Sequence, residues 1–229
     1  MYPQQLALSE HLKQAHAQSW QKIASAGEFF TAAERVAFVR TAREALTCEL
    51  CSDRKQALSP NAVAGSHEHS GSLDSLVVDM IHRIRTDPGR LTKAWFDEVV
   101  QHIGKPEYVE IVSVVTSSVI IDTTHNAMGL GLPALPQPAA GRPQRQFNQN
   151  AVEGGAWVPI LAADNDMADT GLPRVPNIAR ALGLVPSALE LFFTTFRPHY
   201  ALKDIDMSIS QGQAEFVAAR VSALNECFY

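Results

Sequence analysis

Cysteine is scarce in this chain: three in 229 residues, at Cys48, Cys51 and Cys227. So low and odd a count does not build a disulfide scaffold. A strong charge of one sign is missing too. The formal net charge is -5 and the pI is near 5.9. No basic surface is on offer to phosphates, so neither nucleic acid nor a membrane surface is expected as a partner. Long apolar runs are also lacking. The stretch VEIVSVVTSSVII is too short and too rich in Ser and Thr to span a bilayer. The opening residues MYPQQLALSEHLKQAHAQSW are polar and amphipathic, without the apolar h-region of a secretory signal. A reducing, cytoplasmic setting is expected, where a C-x-x-C pair is more often catalytic or metal-binding than a structural staple.

What the chain does have is apolar residues in helical register. Hydrophobic residues make up 46% and charged residues 19%, enough for a sizeable core. Leu73, Leu76, Val77, Met80, Ile81 and Ile84 fall on one helical face. Asp87-Pro88-Gly89 makes a turn. Leu91, Trp95, Val99 and Ile103 line a second helix, closed by Gly104 and Pro106. Residues 107 to 130 predict a third, long helix, rich in Val and Ile and therefore central. Residues 132 to 177 hold seven of the thirteen prolines and cannot be helical throughout. They predict a connector lying against the body, with Trp157 and Ile160 of AWVPIL buried. Helical patterning resumes at VPNIARALGLVPSALELFFTTF and at SQGQAEFVAARVSALNECF. The expected organisation is all-α: an N-terminal helical unit at 1–131, a Pro-rich connector at 132–175 and an incomplete C-terminal helical unit at 176–229. The two ends are also alike. TAAERVAFVRTAREALTCELC at 31–51 and GQAEFVAARVSALNECFY at 212–229 share Ala-Glu-x-Val-Ala and both run into cysteine, a degenerate repeat of one helical unit.

The sharpest local signal is Cys48-Glu49-Leu50-Cys51. Thr47 is expected to cap a new helix that ends by Pro60, with Cys48 at its first position. There, free amide N–H groups and the helix dipole favour a thiolate. Arg54 and Lys55, three and four residues beyond Cys51, add positive charge on the same side. Two thiols so placed can reduce a peroxide, one forming a sulfenic acid and the other resolving it to a disulfide. Thr31-Ala-Ala-Glu34 reads as a capping box, which accounts for Glu34. Ser210 and Gln213 supply the box of the last helix and leave Glu215 free, twelve residues before Cys227. His67-Glu68-His69 sits on a Gly/Ser-flanked loop. Cys48, Cys51, His67 and His69 form a zinc alternative, although H-x-H is tighter than finger spacing. The competing reading of that loop is a solvated polar segment. His125 follows Asp122 by three residues, where a carboxylate could orient the ring for a proton relay; a hydrogen-bonded core histidine fits the same pattern. His11, His16, His82, His102 and His199 carry no spacing to read.

These residues resemble the alkylhydroperoxidase D-like family, also called the carboxymuconolactone decarboxylase-like superfamily. Its peroxidase members carry E-x11-C-x2-C-x3-H, in which glutamate and histidine relay protons to a redox-active cysteine pair. Glu215-x11-Cys227 matches the first half, and the second cysteine and the histidine of the motif would fall beyond Tyr229. The N-terminal unit has both cysteines, with Lys55 where the family has histidine and Val36 where it has glutamate. The resemblance covers 27–59 and 176–229. It implies an all-α helical bundle, duplicated and homo-oligomeric, and a peroxide-reducing activity recharged by a thiol reductant protein.

The leading expectation is thus a thiol-dependent peroxidase with no cofactor beyond a redox-active disulfide. Its residues are Cys48, Cys51, the stand-in proton carriers Glu44 and His125, and Glu215 with Cys227. In the family the second cysteine of the pair meets peroxide, which points to Cys51. The alternatives are a zinc-binding protein and a catalytically silent helical oligomer; a decarboxylase with His125 as its acid/base ranks last.

Overall fold

Side-chain caps open several of the helices. Ser9 accepts the Leu12 N–H at 3.2 Å and opens α1 (Glu10–Ile23). Thr31 and Glu34 close a reciprocal capping box on α2 (Ala32–Glu44), as the sequence predicts. Asp74 caps α4 (Ser75–Thr86) and Thr92 caps α5 (Lys93–Ile103). Between α2 and α4, one 3-10 turn leads into α3 (Glu49–Gln56). Gly104, at φ 98, takes a left-handed conformation that side chains disfavour; it ends α5 and starts α6 (Lys105–Ala127). The chain continues into α7 (Asn177–Leu182), α8 (Pro186–Phe196) and α9 (Gln211–Leu224). The computed structural model describes residues 1–162, 175–199 and 208–224. Among these residues the protein is all-α; the only β pairing is an isolated bridge between Val152 and Ile160.

The β-branched run expected at 107–130 is helical as far as Ala127, and it is the central element. α6 packs against α1, α2, α4, α5, α7 and α8. Ile111, Val114, Val115 and Ile121 fill the core, while buried Ser113, Ser117 and Ser118 keep the contact faces small. The Ser113 hydroxyl donates to the Ala188 carbonyl at 2.6 Å and ties α6 to α8. α8 returns across α6 and α1, so residues of both predicted units share one core through Leu191, Phe192 and Phe193. The connector lies against this body: Ala139 N–H donates to Ala24, Arg145 N–H to Glu28 and Asn148 N–H to Leu184. Ile160 is buried as expected. Trp157 departs from expectation: it rests on Phe96 and stays 40% exposed. α9 repeats the wording of α2 but none of its burial, and Val217, Val221 and Leu224 are exposed on one face. No helix among the described residues is long and apolar enough to cross a membrane.

Two buried polar groups brace the bundle. Glu110 of α6 is completely buried, pairs with Arg35 of α2 and accepts the Phe29 N–H at 2.8 Å. Burial pushes its carboxyl up, and Arg35 and the Phe29 amide pull against that. Gly27 allows the approach, since a Cβ there would meet Glu110 Oε1 at 1.7 Å. The other, His16 of α1, links the N-terminal segment to the turn after α8. Tyr2 Oη lies 2.6 Å from His16 Nδ1, and His16 Nε2 lies 2.8 Å from His199 Nε2. Burial, and the nearby His199 and His125, push His16 down to about 4.

Two outcomes follow. Arg35→Met strands the Glu110 charge and should cost about 3–5 kcal/mol in a urea titration; an unchanged midpoint would remove the pair from the frame. His16 is neutral in the fold and titrates near its ordinary value when unfolded. Its stabilisation is therefore present above about pH 6.5 and is lost as pH falls toward 4, worth up to about 3 kcal/mol. Urea midpoints at pH 7 and pH 4.5 should differ less in His16→Gln than in the wild type.

Candidate active site at Cys48 and Cys51

The site is built where α2 hands over to α3. The 3-10 turn Ala45–Thr47 breaks the helix, and the chain restarts one residue later than the sequence predicts. Cys48, not Thr47, is the N-cap: its backbone is extended at φ -72 and ψ 123, and no side chain caps the helix. Cys51 follows one turn in. Both are free thiols and both are 5% exposed. With Leu50 and Val63 they form a small apolar cluster apart from the main core.

Two histidines converge on the sulfurs. His67, from the loop between α3 and α4, places Nδ1 3.4 Å from Cys48 Sγ and 3.7 Å from Cys51 Sγ. His82, on α4, places Nδ1 3.3 Å from Cys51 Sγ. The ligand-type atoms of Cys48, Cys51, His67 and His82 all lie within 4.8 Å of one another.

Behind His67 stands Asp79 of α4. Its Oδ1 accepts His67 Nε2–H at 2.9 Å and pairs with Arg54; its Oδ2 accepts Arg83 at 2.8 Å and the Trp95 indole N–H at 3.2 Å. The Arg54 guanidinium lies 3.1 Å from the same imidazole nitrogen. Both are donors, so the arginine's bond belongs to the carboxylate. Burial would raise Asp79, but His67, Arg54 and Arg83 hold it below the ordinary carboxylate range. Burial would likewise lower His67, yet Asp79 and the two thiols raise it to about 10. A protonated His67 then donates at both nitrogens, to Asp79 and to sulfur. Burial raises the Cys48 thiol; hydrogen bonds from His67 and Cys51 outweigh that and lower it overall. His82 goes the other way, down to about 4, through burial and the positive charge of His67. The pair of imidazoles is thus split, one charged and one neutral. Cys51 also borders a small cleft lined by Arg54, Arg83 and Arg90.

The other predicted residues lie elsewhere. Glu44 bonds Ser70 through the Ser70 hydroxyl and N–H, so it anchors the loop that carries His67 and reaches neither thiol. His69 is outside the four-residue group, and its Nδ1 has no hydrogen-bond partner among the described residues. His125 Nδ1 bonds the Gly131 carbonyl at 3.0 Å and its ring packs on Tyr2. Asp122 does not orient it: the His125 Nδ1 bond goes to Gly131, and the Asp122 carboxylate is gripped by Arg43 at 2.8 and 2.7 Å. Lys55 is exposed. Glu215 is exposed on α9 and accepts from Gln211. Cys227 lies outside the described residues.

His82 is the residue that sequence reasoning missed. A signal existed: Asp79-x-x-His82 has the same spacing as Asp122-x-x-His125. In neither case does the aspartate bond the histidine three residues on. Comparison with protein-family models, with curated proteins and with solved structures finds no match to this chain.

Asp79→Asn should slow alkylation of Cys48 and Cys51 by iodoacetamide at pH 7 by about ten-fold, because His67 loses the charge that holds its proton. It should also lower stability by about 1–3 kcal/mol in chemical unfolding. Unchanged alkylation in a folded variant would take Asp79 out of the thiol chemistry.

Proposed function

We propose that this chain is a thiol-dependent hydroperoxide reductase that uses Cys48 and Cys51 as a redox pair. One observation carries the reading: both sulfurs of the C-x-x-C lie within reach of a single ring nitrogen of His67, whose other nitrogen is fixed by Asp79. Nucleophile, proton carrier and orienting carboxylate are the parts that thiol chemistry needs.

Cys51 borders the small cleft and, as the family resemblance implies, is the thiol that meets the hydroperoxide. Its thiolate attacks the terminal oxygen, the O–O bond breaks, and the alkoxide leaves with a proton from His67. Cys51 is then a sulfenic acid. Cys48, one helical turn away, attacks the Cys51 sulfur; the S–S bond forms and water leaves. The balance is dithiol plus hydroperoxide giving disulfide, alcohol and water. A thiol reductant protein restores the dithiol by exchange. A helical frame of the alkylhydroperoxidase D-like kind and a cytoplasmic homo-oligomer belong to the same proposal. The exposed face of α9 is available for that assembly.

Treatment of the reduced, metal-free protein with one equivalent of an organic hydroperoxide tests the reading. The Cys48–Cys51 peptide should lose two hydrogens. Cys48→Ser should stop at a dimedone-trappable sulfenic acid on Cys51. Cys51→Ser should react no faster than a free thiol; turnover equal to wild type in that variant overturns the assignment.

A further inference from the structure

We infer that Cys48, Cys51, His67 and His82 are also a zinc site, and that zinc and the disulfide are alternative occupants of the same four side chains. The zinc half of this inference stands on the ligand geometry alone; the exchange half rests on the redox pair proposed above.

The four ligand-type atoms are close enough together to share one tetrahedral ion. Zinc takes thiolate sulfur at about 2.3 Å and imidazole nitrogen at about 2.0–2.1 Å, with tetrahedral angles. Those lengths put a ligating sulfur and a ligating nitrogen about 3.5 Å apart. Three of the four sulfur–nitrogen separations are 3.4, 3.7 and 3.3 Å, and the fourth, Cys48 to His82, is within 4.8 Å. Both imidazoles present the same atom, Nδ1, toward the sulfurs. The outer shell fits as well: Asp79 accepts from His67 Nε2 and so fixes the tautomer that leaves Nδ1 to a metal. The four ligands come from the start of α3, the following loop and α4; Cys48, Cys51 and His82 are buried and His67 is half-buried. The spacing is C-x2-C-x15-H-x14-H, with His82 in the place that His69 was expected to take.

Four protein ligands leave no open position, so the zinc form has no site for substrate at the metal and holds both thiolates in coordination. Hydroperoxide would oxidise that form as follows. The two thiolates give up two electrons and join as a disulfide. The O–O bond breaks, and two protons from solvent complete the alcohol and water. Zinc leaves as the dication, because two imidazoles alone are a poor site for it. Reduction by a thiol restores the ligands. Zinc loading would therefore set how fast the thiols respond to peroxide.

The experiment uses the full chain, reduced, stripped of metal with a chelator and then titrated with Zn²⁺ against a chromogenic competitor. About one zinc per chain is expected. His82→Ala and Cys48→Ser should each weaken binding at least ten-fold, and His69→Ala should leave it unchanged. Circular dichroism checks that each variant is folded. Co²⁺ in the wild type should show the thiolate charge-transfer and tetrahedral ligand-field bands of an S2N2 site, a readout independent of variant folding. No binding to the wild type, or full binding by a folded His82→Ala, overturns the site. One equivalent of hydroperoxide should then release the zinc while the Cys48–Cys51 peptide loses two hydrogens; retained zinc beside a formed disulfide overturns the exchange. The failures are separable. A metal-free protein that oxidises but never binds zinc leaves the redox reading standing alone. A protein that binds zinc while its metal-free form resists peroxide leaves only the zinc site.

Discussion

The candidate site depends on one carboxylate. Asp79 accepts from His67, Arg54, Arg83 and Trp95, and these donors come from the loop, α3, α4 and α5. A carboxylate with four donors has its acceptor sites filled, so it can stay charged at a largely buried position. Its charge then does two things. It holds a proton on His67, and it fixes which way the imidazole faces. The segment 63–74 is otherwise held by Val63 on the cysteine cluster, Leu73 on the main core, Glu44 at Ser70 and the Asp74 cap. The thiols themselves are passive in this arrangement: α3 presents them, and the clamp decides what they meet.

The bundle supplies the rigidity that the clamp requires. α4, which carries both Asp79 and His82, packs on the central α6, and α6 also packs on α8 and is tied to α2 by the Arg35–Glu110 pair. Charged groups elsewhere serve the frame. Arg43 takes Asp122 in a two-pronged pair and lies over the Trp20 ring. Tyr2, His16, His125 and His199 tie the N-terminal segment to the end of α8. Five of the eight histidines thus fall into two groups, His67 and His82 at the sulfurs and His16, His125 and His199 around Tyr2.

Much of the frame was legible because it is local. The faces of α4 and α5, the Thr31–Glu34 box and the stop at Gly104 each depend on residues within a turn or two. The cysteine pair was legible for the same reason. What escaped depends on tertiary approach. Nothing within one turn of His82 says that α3 will pack on α4 and bring Cys51 to its ring. His125 beside Asp122 offered the same local pattern, and there a distant arginine took the carboxylate. Cys48 as N-cap also escaped, because Thr47 is the better capping residue by chemistry. The 3-10 turn at Ala45–Thr47 moves the helix start one residue on. Trp157 stayed partly out of the core, resting on Phe96.

The central claim is that His67, held by Asp79, controls both thiols. The direct test is the rate of disulfide formation by reduced, metal-free protein with a fixed excess of organic hydroperoxide, in wild type and in His67→Gln. Glutamine keeps polarity and length but cannot carry the proton. The account predicts at least a ten-fold slower reaction in a variant that is still folded. Equal rates would contradict it, and would mean that the imidazole beside the two sulfurs is there for something other than their redox chemistry.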